Sequence, residues 1–157
     1  MPLNTIKTVV IDTSVFADYY LLYTGRRERH ERARAVLDKL SSLNLFVYEP
    51  FLFEVELRGV LVRSIEPEQV VKIVDLVLEH VNIVEEKLIH DKAAEIALLT
   101  GCRAVDAYYI ATTRHVNGIL ITNDRVMKYN ALRAGTEAYY LLDDKDYKTV
   151  MGKLATS

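Results

Sequence analysis

The sequence predicts an α/β fold, a three-layer α/β/α sandwich around a mainly parallel sheet. Three observations carry this. Short β-type runs alternate with longer helical patterns, the arrangement of strands joined by crossover helices. Runs such as Val9-Val10-Ile11 and Ile119-Leu120-Ile121 are continuously apolar, as buried strands are. And 157 residues, half apolar and 27% charged, suit one soluble domain with a sizeable core.

The elements follow in chain order. A strand over 6–11 ends on Asp12, and an amphipathic helix over 13–24 follows. A charged helix over 29–42 leads to a strand over 44–48. The stretch "PFLFEVELRGVLVR" gives a helix over 51–64. Pro67 suits the first turn of a helix over 67–80, whose apolar positions are Val70, Val71, Val74, Val77 and Leu78. A strand over 81–84 and a helix over 87–100 come next, the helix stopped by Gly101. A helix over 104–116 is ended by Gly118, which opens a strand over 118–121. A helix over 124–131, a strand over 137–141 and a helix over 144–153 complete the pattern. No repeat, low-complexity segment or linker interrupts it, so residues 1–157 read as a single domain.

The totals narrow the function. A net charge of −2 gives no whole-molecule attraction to polyanions, so any nucleic-acid contact must use a local basic patch. One cysteine, Cys102, excludes an internal disulfide and favours a reducing compartment. No apolar run approaches the roughly 20 residues of a membrane span. The start of the chain, with Lys7 and an early Asp12, is not a secretory signal. The cytoplasm is the expected location.

The acids carry the chemistry. Asp12 and Asp124 fall at the carboxyl ends of predicted parallel strands, where open α/β sheets bind ligands. Each also precedes a helix and could be its cap, and Asp106 could serve a helix dipole, so singly each has a simpler account. Glu56 does not. On a helical wheel it lies among Leu52, Phe53 and Val60, whereas Glu54 faces away and can pair with Arg58. A carboxylate on an apolar stripe needs a partner, a proton or a metal. If the four acids converge, two charges about 4 Å apart cost roughly 4 kcal/mol at an effective dielectric of about 20. No lysine accompanies them in their own motifs. A divalent cation is the natural compensation, and oxygen ligands without histidine or cysteine favour Mg²⁺ or Mn²⁺ over zinc.

The motifs "IDTSVF", "PFLFEVELRGVL", "AVDAYYIAT" and "LITND" occur in this order across nearly the whole chain. Together they resemble the PIN-domain nucleases, especially the short VapC-like toxins. The resemblance implies an α/β/α, Rossmann-like sandwich and metal-dependent endonucleolytic cleavage of RNA, leaving a 5′-phosphate. It carries Asp12, Glu56, Asp106 and Asp124 over as catalytic and metal-binding acids, with Thr13, Ser14 and Thr122 as supporting hydroxyls. It also implies a homodimer and a small antitoxin protein as partner. A housekeeping RNA-processing PIN nuclease and a non-catalytic PIN scaffold are the alternatives. Haloacid-dehalogenase chemistry needs a second Asp where Ser14 stands, and the pattern of a response-regulator receiver is not found.

Arg103, one turn before Asp106, and Arg125, next to Asp124, are placed to meet RNA phosphates. The stretch "TGRRERHERARAV" reads either as a solvated helix face with internal ion pairs or as an arm for RNA or a partner. His115 reads as structural at its helix end. The pairs Tyr19-Tyr20, Tyr108-Tyr109 and Tyr139-Tyr140 read as core or interface residues, with base stacking as the other use.

Overall fold

The structure, a computed structural model, describes residues 6, 8–22, 24–43 and 45–156. The first predicted strand and helix include Lys7 and Tyr23, and the second predicted strand starts at Asn44; these three lie outside the described residues. In chain order the elements are β1 (Thr8–Ile11), α1 (Thr13–Tyr20), α2 (Arg27–Ser41), β2 (Phe46–Pro50), α3 (Phe53–Leu61), α4 (Pro67–Leu78) and β3 (Asn82–Val84). There follow α5 (Glu86–Thr100), α6 (Ala104–His115), β4 (Ile119–Thr122), α7 (Arg125–Arg133), β5 (Ala138–Tyr140) and α8 (Asp144–Ala155).

The five strands form one parallel sheet in the order β3-β2-β1-β4-β5. Because parallel crossovers are right-handed, the leftward steps from β1 to β3 carry α1–α4 over one face. The rightward steps through β4 to β5 carry α5–α7 over the other, which makes three layers. The direction reverses between β1 and β4, so a crevice opens there at the carboxyl edge. Val9 pairs with Ile119 and Ile11 with Ile121 across that junction, and Asp12 N donates to Ile121 O at 2.9 Å.

The core is continuous through the sheet. Val9, Val10, Leu120 and Ile121 are fully buried, with Phe53, Leu57 and Leu61 of α3 beneath the same carboxyl edge. On α4, Val70, Val74 and Val77 are buried and Val71 is exposed, so one face of that stripe is core. Tyr109 is fully buried beside a partly exposed Tyr108, and Tyr19 packs edge-on against Tyr20 at 4.8 Å. Among the described residues no helix is long and apolar enough to cross a membrane.

Several expected boundaries move. β2 runs on through Glu49 and Pro50, α1 stops at Tyr20, and α3 covers only Phe53–Leu61. Gly101 does end α5, in the left-handed conformation at φ 69. After α6, however, the left-handed residue is Asn117, at φ 50, and not Gly118. Gly118 is required for a different reason: a Cβ there would fall 2.7 Å from Thr8 O, so only glycine lets β4 start against β1.

Candidate active site

Asp12 follows β1 directly, and the sheet buries it to 3% exposure. It stands at the N-cap position of α1 but makes no side-chain capping bond. Its Oδ2 instead accepts the hydroxyls of Ser14 and, at 2.9 Å, Thr122. Those hydroxyls also tie down the loop after β4. Ser14 Oγ accepts from Asn123 N at 2.9 Å, and Thr122 Oγ1 accepts from Asp124 N at 2.9 Å. Capping therefore does not explain Asp12. Burial is the main cause that pushes its carboxyl up to about 7. The Ser14 bond opposes the shift, and the charges of Glu56 and Asp124 add to it.

Asp124 does cap a helix. Its Oδ1 accepts from Val126 N at 2.8 Å and Met127 N at 3.2 Å, while its Oδ2 stands 3.7 Å from Arg103 Nη2. Asp106, in the first turn of α6, is 2% exposed and holds the fork of Arg103, with Nε and Nη2 at 3.3 and 3.2 Å. Burial holds the Asp106 carboxyl above its ordinary range, against the bond and charge of Arg103. One guanidinium thus bridges Asp106 and Asp124.

Glu56 lies on the inner side of α3, as its wheel position predicts. Its Oε2 accepts from Tyr109 Oη at 2.8 Å and from Thr13 Oγ1 at 3.1 Å, and those two hydroxyls are 2.6 Å apart. The buried tyrosine is the partner that the apolar stripe demanded. Burial raises the Glu56 carboxyl above its ordinary range, against the Tyr109 and Thr13 bonds. Glu54 instead accepts from Arg58 Nε at 3.0 Å on the outer side.

All four acids, with Thr13 and Ser14, line one cavity of about 240 Å³ at the carboxyl edge of the sheet. Three arginines line it too: Arg103, Arg26 and Arg29. Arg125 is exposed at the start of α7 and does not line it. A larger cavity of about 540 Å³ opens at the opposite edge beside Thr8, Gly118 and Thr136 and holds none of the four acids.

Two further acids escaped the reading of the sequence. Asp18, on α1, is 5% exposed and lines the acidic cavity. It stands four residues after Ser14, on the same helical face, and that spacing was the available signal. Glu49, on β2, is fully buried. Its Oε1 accepts from Ile11 N at 3.1 Å, whereas its Oε2 has no hydrogen-bond partner. Burial pushes its carboxyl well above the ordinary range. A glutamate inside an otherwise apolar strand was its only sequence mark.

The donors around the cavity are carboxylate and hydroxyl oxygens, with no histidine or cysteine among its lining residues, a set that fits a hard divalent cation. Among the described residues no three acidic, histidine or cysteine side chains are grouped tightly enough to chelate an ion as they stand. The Arg103 guanidinium bridges Asp106 and Asp124 there.

The family model of the PIN domain matches residues 9–131. VapBC-1 from nontypeable Haemophilus influenzae has a similar structure: the TM-score is 0.65 at 17% identity, over 87% of this chain and 99% of that one. PAE2754 from Pyrobaculum aerophilum superposes at a TM-score of 0.63 and 15% identity, over 99% of both chains. FitAcB from Neisseria gonorrhoeae does so at 0.59 and 21%, over 83% of this chain and 95% of the other. No curated protein matches the sequence.

Proposed function

The chain belongs to the PIN domain family, and from that premise we propose that the acidic cavity is the active site of a Mg²⁺- or Mn²⁺-dependent endoribonuclease, the toxin of a toxin–antitoxin pair. The convergence of Asp12, Glu56, Asp106 and Asp124 on one oxygen-lined cavity at the sheet's switch point is the observation that carries this reading.

Asp12, Asp106 and Asp124 are the residues to hold the cation, with Glu56 reaching it through water or orienting the nucleophile. When bound, the cation lowers the pKa of a water and offsets charge on the phosphate that is cut. The chain does the rest. Ser14 and Thr122 fix the plane of the Asp12 carboxyl, and Tyr109 and Thr13 fix Glu56. Arg103 is 75% exposed at the rim, where its planar fork suits a phosphate oxygen pair. Arg125, exposed at the start of α7, is a second phosphate contact outside the cavity.

The toxin assignment is supported by the likeness of the fold to VapBC-1 and FitAcB and by the resemblance of the motifs to VapC-like toxins. An arginine on Asp106 and Asp124 takes the place of a cation, and a partner that offers Arg or Lys there would do so in trans. Homodimerisation would cover exposed apolar residues such as Leu98 and Leu99 on α5.

The test is hydrolysis of a labelled single-stranded RNA by the purified chain. Cleavage with Mg²⁺ or Mn²⁺ that stops on chelation and returns with added metal supports the reading. Cleavage that survives full chelation contradicts it.

A further inference from the structure

The arginine-rich stretch that begins at Arg26 is divided by the structure. Arg27 donates to Glu31 at 2.8 Å, Arg34 stands 3.4 Å from Asp38, and Arg32 joins Glu28 and Asp144 over the Tyr147 ring. Those are pairs on the helix surface. Arg26 and Arg29 turn toward the acidic cavity and line it.

They are held there by Asp18. Arg29 Nε donates to Asp18 Oδ2 at 2.9 Å, and Arg26 Nη1 lies 4.0 Å from Oδ1 of the same carboxylate. Asp18 also accepts from Asn123 Nδ2 at 2.6 Å. Asn123 N donates to Ser14 Oγ, and Ser14 donates to Asp12. A continuous chain of hydrogen bonds therefore runs from Arg29 to the acid at the centre of the site. Distance between the arginine pair and Asp12 is fixed by buried groups rather than by flexible surface.

This arrangement does more than neutralise Asp18. Two guanidiniums share one carboxylate, and their side chains are 52% and 32% exposed. Each guanidinium has five N–H donors in a planar fork that suits phosphate. A nucleic-acid strand whose phosphate sits over the four acids must place its neighbouring phosphate beside that point. The arginine pair faces the same small cavity. An acidic peptide spaces its carboxylates irregularly, whereas a nucleic-acid backbone repeats its phosphates at a fixed short spacing that suits two neighbouring subsites.

We propose that Arg26 and Arg29, held on Asp18, form a second phosphate subsite that takes the backbone phosphate adjacent to the one being cut. The proposal rests on the nuclease reading above. Asp18 and Asn123 are positioning residues: they touch the arginines, not the strand.

The experiment is steady-state cleavage of a single-stranded RNA with Mn²⁺ at several salt concentrations, comparing wild type with Arg26→Ala, Arg29→Lys and the helix-surface control Arg34→Ala. Arg26→Ala removes an exposed side chain and keeps the fold. It is expected to raise KM about threefold to tenfold with kcat within about twofold, because it removes binding common to ground and transition states. Its plot of log(kcat/KM) against log salt should flatten by roughly 0.7, the contribution of one phosphate contact on a single strand. Arg29→Lys should raise KM and leave the slope, since the charge stays and the fork is lost. Arg34→Ala should match wild type. Normal wild-type cleavage with Arg26→Ala and Arg29→Lys both unchanged overturns the subsite alone. A wild type that neither binds nor cleaves the strand overturns the nuclease reading and the subsite with it.

Discussion

On one side of the cavity Asp12 lies almost wholly buried under the hydroxyls of Ser14 and Thr122; on the other, Asp106 and Asp124 share Arg103, a side chain 75% exposed. The partners on the first side are short side chains from the first turn of α1 and the end of β4. The second is held by a long side chain reaching in from the rim. Arg103 is 75% exposed, so water competes for its guanidinium, whereas Asp106 is almost wholly buried and still needs a cation if Arg103 leaves. Under the proposed function, the Asp12 side would fix where a ligand sits, and the Asp106–Asp124 side would exchange Arg103 for a metal ion or a partner's cationic side chain.

The largest expected effect falls on the Asp12 side. Asp12→Asn should lower cleavage by at least about a hundredfold, more than the loss that follows removal of a group outside the metal's own ligands. In the metal-free protein the same change should stabilise the fold in a pH-dependent way. A carboxyl raised from 3.8 to about 7 in the folded state favours folding when protonated. That advantage is complete below about pH 3.8 and is lost as pH rises through about 7. The two ends differ by roughly 4 kcal/mol. The gain from Asn should thus be largest above pH 7 and vanish near pH 4, which thermal melts across pH can read. Asp124→Asn keeps a capping oxygen, so its metal-free stability should hardly move.

On the side that Arg103 bridges, Arg103→Ala should tighten Mn²⁺ binding by about fivefold or more, since the lost competitor pairs with a buried carboxylate and not with an exposed one worth about 1 kcal/mol. It should also weaken RNA binding, and calorimetry with metal alone separates the two effects. Unchanged Mn²⁺ affinity would show that Arg103 does not compete for Asp106 and Asp124.

Much of this was legible in the sequence. Short continuous apolar runs marked the buried strands and 3.6-residue stripes marked the helices, so the element order could be read. The inward turn of Glu56 followed from its wheel neighbours Leu52, Phe53 and Val60. What stayed hidden depends on contacts distant in sequence. Tyr109 meets Glu56 across 53 residues, and Asn123 meets Asp18 across 105. Asp124 could be read as cap or as ligand, and it has the geometry for both, since its two oxygens face different ways. Arg26 and Arg29 could not be told from Arg27 and Arg34 by composition; only the start of α2 at Arg27 decides which arginines face the cavity.

A further comparison separates the two glutamates of α3. Glu56→Gln should reduce cleavage about tenfold or more, as expected for a group that orients a site. Glu54→Gln, which loses only its pairing with Arg58, should change activity little and stability by no more than about 0.5 kcal/mol. Equal effects would mean that Tyr109 and Thr13 do not hold Glu56 for the site.

The central claim is that a buried, ionisable Asp12 anchors a divalent cation. Calorimetric titration of Mn²⁺ into wild type and Asp12→Asn at pH 8 tests it most directly. Saturable binding by wild type, with at least about tenfold weaker binding by the variant, is the predicted result. Equal affinities in the two proteins, or no binding by wild type, would contradict it.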